Sequence, residues 1–182
     1  MPGFYFRVLP GLPGTGDDPV RFNLTGTGLH SEGFVVEFTS ATGRRWGGNF
    51  QTGLYGASGV FAVPGRTDHA IVIAEGQAYV VEPDSGALVR TFGGQLTDVF
   101  SLLERTEMIF GNGLWFECVG PAGLRWRTRR VSWDGMMEGS LDGARSHGSA
   151  FNPIDDTWSP FDVDIDMGEV TGGSYPPDAP QP

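Results

Sequence analysis

Near the C-terminus, Phe161-Asp162-Val163-Asp164-Ile165-Asp166 places three carboxylates at every second position. Acids so spaced could coordinate a cation. A calcium loop, however, needs polar spacers, a glycine directly after the third acid and a closing glutamate. The spacers are Val163 and Ile165, and Gly168 comes one residue late. The alternation instead predicts a strand with Phe161, Val163 and Ile165 inward, Asp162, Asp164 and Asp166 outward, and no metal. Three like charges on one strand face repel and need a partner. Arg125, Arg127 and Arg129 alternate in the same way, with Trp126 and Thr128 on the opposite face. The expectation is an Arg ladder facing an Asp ladder; the functional alternative leaves one ladder free to grip a charged ligand.

A second cluster is Arg130-Val131-Ser132-Trp133-Asp134-Gly135. Trp133 and Asp134 could form one wall of a ligand site, because aromatic faces stack on sugars and cations. The structural reading is a core tryptophan followed by an Asp-Gly turn. The other tryptophans (Trp46, Trp115, Trp126 and Trp158) fall in or beside expected strands and read as core. His30, His69 and His147 lie far apart, in no ligand spacing. His147 has Ser146 and Ser149 nearby but no strand–elbow–helix context for a nucleophile. Cys118 sits between apolar positions, where an inert buried thiol is expected. No cofactor motif survives comparison with its structural reading.

Composition bounds the function classes. The chain has 182 residues, a formal charge of −10, 22 acids, and 12 basic residues that are all arginine. Such a balance disfavours nucleic acid, whose binding depends on neutralising phosphates, and suits a basic protein partner. One cysteine excludes an internal disulfide framework and a multi-cysteine zinc site. The N-terminal apolar run is short and broken by Arg7, and no stretch reaches the length of a membrane span, so no membrane partner and a cytoplasmic location are expected.

The elements that must position these residues are short strands. The 29 Gly and 13 Pro punctuate apolar segments rather than cluster. In Gly76–Phe92, the run Tyr79-Val80-Val81 enters a hairpin, Pro83-Asp84-Ser85-Gly86 turns it, and Leu88–Phe92 leaves. Tyr79–Thr91 aligns without a gap over Phe116–Thr128; the turn glycines Gly86 and Gly123 coincide. Upstream, Val60-Phe61 and Arg66-Thr67 match Val99-Phe100 and Arg105-Thr106. Weaker copies surround Gly43 and Gly168, giving turn-glycine intervals of 43, 37 and 45 residues. Periods of this size predict an all-β fold of repeated four-stranded antiparallel units in a small β-propeller-like array; a β-sandwich or barrel is the alternative. The expected units are roughly 21–58, 59–96, 97–130 and 131–173, within a single domain of residues 1–173. Thr97–Arg105 could alternatively be a helix, but the repeat argues for strand. Residues 174–182 read as a disordered, Pro-rich tail.

From about Gly59 onward, the segments GQAYVVEPDSG, RVSWDG and PFDVDIDMGEVTGGSY resemble a group of uncharacterised bacterial proteins, a resemblance that implies no known activity. The hairpins also resemble blades of quinoprotein-type and WD-repeat propellers, although Trp133-Asp134 precedes a turn rather than ending a blade. The functional expectation is a non-catalytic acidic binding protein capturing a basic protein partner, an intracellular antidote or immunity-type protein being one form. The binding residues expected are Asp162, Asp164, Asp166, Arg125, Arg127, Trp133, Asp134 and His147. The alternative is a small hydrolase or ligand-binding enzyme built near Trp133, Asp134 and His147.

Overall fold

The computed structural model describes residues 3–24, 26–27 and 32–180; His30 lies outside them. The described chain is all-β, with four sheets and, besides strands, one turn of 3-10 helix at Leu103–Arg105. No helix among the described residues is long and apolar enough to cross a membrane. Two compact units divide between Gln95 and Leu96, where the sequence reads as one domain.

In the first unit, β1 (Phe4–Leu9), β2 (Val20–Asn23), β3 (Gly26–Thr27), β4 (Phe34–Ser40) and β5 (Arg45–Phe50) form a sheet of order β1-β4-β5-β2-β3. This sheet starts earlier than the expected unit, because β1 pairs along its full length with β4, and β2 runs parallel to β5. The second sheet is a plain meander: β6 (Gly59–Ala62), β7 (Ala70–Ala74), β8 (Gln77–Glu82) and β9 (Ala87–Gly93). Its central strands, AIVIA and QAYVV, are buried along their whole length, which explains their unbroken apolar run. Glu75 (φ 44°) and Gly76 (φ 84°) join them in a two-residue turn whose positive φ values match the twist of a hairpin.

The core of this unit is aromatic. Phe22 stacks on Phe50 with centroids 4.7 Å apart, Phe38 on Trp46 at 4.9 Å, and Phe50 meets Tyr79 at 5.4 Å. The Tyr79 hydroxyl donates to the Gln51 carbonyl at 2.7 Å, and burial pushes its pKa up to about 12.

In the second unit, β10 (Asp98–Leu102), β11 (Glu107–Gly111), β12 (Phe116–Gly120) and β13 (Gly123–Arg127) make the third sheet. The strand reading of residues 98–102 holds over the helical one. The fourth sheet is β14 (Met136–Asp142), β15 (Arg145–Asn152), β16 (Thr157–Asp164) and β17 (Val170–Gly172). Phe116, Cys118, Val131, Ala150, Phe161, Val163 and Ile165 form the shared core of these two sheets. None of the four sheets closes into a barrel; three are antiparallel meanders of four strands.

The repeat runs deeper than the hairpins. Gly86 N–H donates to the Glu82 carbonyl and Gly168 N–H to the Asp164 carbonyl, both at 2.8 Å, closing two five-residue turns of one kind. A tryptophan clamps each turn at its second residue: Trp46 Nε1 donates to the Pro83 carbonyl at 2.7 Å, and Trp126 Nε1 to the Ile165 carbonyl at 3.1 Å. Gly43, Gly86, Gly123 and Gly168 all have positive φ (84°, 74°, 110° and 72°), as turn positions that exclude a Cβ without strain. Each unit thus uses one indole to lock the third hairpin loop of its second sheet.

Candidate functional site

Strand β16 has the expected alternation: Phe161 and Val163 are buried, while Asp162 and Asp164 turn to the other face. Ile165 is buried and Asp166 exposed just beyond the strand. The facing Arg and Asp ladders are not found. Arg125 reaches both oxygens of Glu107 at 2.9 Å. Arg127 Nε donates to Glu117, its cross-strand partner, at 2.7 Å, and its guanidinium lies over the Trp115 ring. Arg129 donates to the carbonyls of Arg130, Gly172 and Tyr175, and burial lowers its pKa. The third sheet supplies Glu117 from the neighbouring strand and Glu107 from one strand further, so Arg127 and Arg125 are neutralised locally.

The three aspartates diverge. Asp162 contacts His147 Nδ1, Asp166 contacts Arg105, and one oxygen of Asp164 accepts the N–H groups of Asp166 and Met167 at 2.8 and 3.1 Å. Asp164 is therefore a turn cap, which explains why an aspartate precedes Ile165-Asp166-Met167-Gly168. Among the described residues, no group of three or more His, Cys, Asp or Glu side chains could hold a metal ion.

Trp133 and Asp134 lie in the turn leading into β14. The Trp133 ring packs on Tyr175 at 4.5 Å, and Arg130 caps both rings, 4.8 Å from Tyr175 and 5.8 Å from Trp133. Ser174 Oγ donates to the Phe151 carbonyl at 2.6 Å and accepts Trp133 N–H at 3.2 Å. Ser174 and the buried Tyr175 are thus anchored parts of the second unit, where the sequence reads as the start of a tail. His147 stands four residues along β15 from Phe151, about 13 Å in extended chain. The structure brings His147 to Asp162 and leaves Trp133 and Asp134 at the far end of the strand.

The outer face of the fourth sheet assembles from register. Phe151 pairs with Trp158, Ser149 with Pro160 and Met137, His147 with Asp162 and Ser140, and Arg145 with Asp164 and Asp142; Thr171 flanks Asp162. One end of this face is apolar: Phe151 and Trp158 rings lie 5.0 Å apart, Trp158 is 45% exposed and Met137 44%. Trp158 is therefore a surface residue, against the core reading. Asp155 and Asp156, exposed in the β15–β16 turn, rim the apolar end, beside Ile154 at 78% exposure. The other end carries Asp142, Asp162 and Asp164. Residues 134–178 hold ten of the 22 acids and one of the 12 arginines, Arg145. That segment accounts for nearly the whole negative charge of the chain.

Phe151, Trp158, Met137, Asp155 and Asp156 were not among the residues singled out from motifs. The signal that could have found them is this charge imbalance, counted over a segment rather than over the chain. No protein-family model matches the chain, and no curated protein matches it either.

Proposed function

We propose that this is a non-catalytic binding protein that captures a basic protein segment on the outer face of its fourth sheet. The observation that carries the reading is the pairing, on one face, of exposed Trp158 and Met137 beside half-buried Phe151 with a run of carboxylates and one arginine. An aromatic anchor surrounded by charge of one sign is the anatomy of an interface whose apolar centre gives affinity and whose rim steers the approach. A cytoplasmic antidote to a basic toxin is the form that best uses steering, since attraction of opposite charges raises the association rate. Trp133 and Asp134 lie toward the Phe151 end of β15 and His147 further along it, which favours this reading over a hydrolase built from all three.

The test is affinity capture with the protein and with a variant carrying Asp155→Asn, Asp156→Asn and Trp158→Ala, all at exposed positions. A basic partner retained at about 0.05 M salt, lost at about 0.5 M and absent from the variant supports the reading. Partners that are not basic, or that the variant retains, refute it.

A further inference from the structure

The first unit holds a cleft of about 750 Å³ on the outer face of its first sheet, walled by residues of the 10–19 loop. Its floor crosses three strands. Arg7 of β1 and Glu37 of β4 are direct cross-strand partners, and Arg45 of β5 approaches from the other side. Both guanidiniums reach the same oxygen of Glu37, at 3.3 and 2.9 Å. Two cations therefore share one carboxylate in a chain whose acids outnumber its arginines 22 to 12. Each guanidinium meets Glu37 through one amino nitrogen, while arginine offers five N–H groups in a planar fork. Their side chains are 66% and 64% exposed. Leu9, Leu12 and Pro19 supply apolar lining.

We infer that this cleft binds an amphipathic monocarboxylate, with the acid group bridging Arg7 and Arg45 and an apolar body against Leu9, Leu12 and Pro19. A planar carboxylate matches the guanidinium fork and can accept the N–H groups that Glu37 leaves open. The volume lies within the range of about 300–1,000 Å³ typical of small-molecule sites. Asp17 also lines the cleft and repels a second anionic group, which favours a monocarboxylate over a dicarboxylate. The site rests on arginines of the first unit and the proposed capture face on residues of the second, so either reading can fail without the other.

The probe is 4-phenylbutyrate, compared with its neutral counterpart 4-phenylbutanol by titration calorimetry at low salt. The acid should bind saturably with a Kd below about 1 mM, at least about tenfold tighter than the alcohol. Arg7→Gln with Arg45→Gln should abolish that preference while leaving the circular dichroism spectrum intact, and Asp17→Asn should tighten the acid. Equal binding of acid and alcohol, no saturable binding below about 10 mM, or an unchanged preference in the double variant would overturn the inference.

Discussion

At Gly86 and Gly168, two turns of one design make different demands on the residue. Both have φ near +70°, so alanine at either strains the backbone by about 1–2 kcal/mol. A Cβ at Gly86 would meet the Trp46 ring at 3.6 Å, an ordinary contact, but at Gly168 it would lie 2.8 Å from Trp126. Gly168→Ala should therefore cost about 1–3 kcal/mol more than Gly86→Ala in urea unfolding, because the indole must move off its hydrogen bond. Equal costs would mean that Trp126 does not clamp the turn. The need for glycine was legible in the sequence; the indole above it was not, since Trp126 lies 42 positions away and only the fold joins them.

Asp68 ties stability to pH. Arg66 holds its carboxyl well below the usual range through hydrogen bonds of 3.1 and 2.9 Å, with His69 Nδ1 2.9 Å away as the lesser cause. A carboxyl whose pKa is depressed by folding stabilises the fold fully above its unfolded value, about 4, and loses that contribution as pH falls toward the folded value. Asp68→Asn should thus lower the urea midpoint at neutral pH and leave a shallower decline below about pH 4. Identical acid limbs in the two proteins would contradict this.

At the scale of elements, the hairpins were readable wherever apolar alternation and a turn glycine coincide, as in Phe34–Phe50 and Tyr79–Phe92. Strands β14 and β15 were not, because MMEGSLD and RSHGSAFN carry little alternation: their ladder is continuous, but Ser146 and Gly148 occupy inward positions. Gly148 is required there, as a Cβ would lie 2.6 Å from the Phe161 ring. Partner choice also escaped the sequence. Alternating Arg and Asp strands predict mutual pairing only when no nearer acid competes, and Glu107 and Glu117 do compete. The consequence is a double-mutant cycle: Asp164→Asn and Arg127→Gln should be additive within about 0.5 kcal/mol, whereas Arg127→Gln and Glu117→Gln should couple by up to about 1 kcal/mol. Cys118 belongs to the same sheet. Buried in β12, with its pKa pushed up to about 11 mainly by burial, it should resist thiol reagents at neutral pH until the protein is unfolded. Rapid labelling of the native protein would contradict its burial.

Over the whole molecule, the negative charge is concentrated in residues 134–178 rather than spread, and the outer face of the fourth sheet, which carries part of it, offers Trp158 and Met137 to solvent. Total charge pointed to a basic partner; only strand register showed which carboxylates share a face with Phe151 and Trp158. The most direct measurement is a titration of the isotope-labelled protein with an arginine-rich peptide bearing one leucine, followed by amide chemical shifts. Perturbations should concentrate at Ser149, Phe151, Trp158 and Asp162, saturate with the peptide and be suppressed by Trp158→Ala. Shifts scattered over both units, or centred away from the fourth sheet, would contradict it.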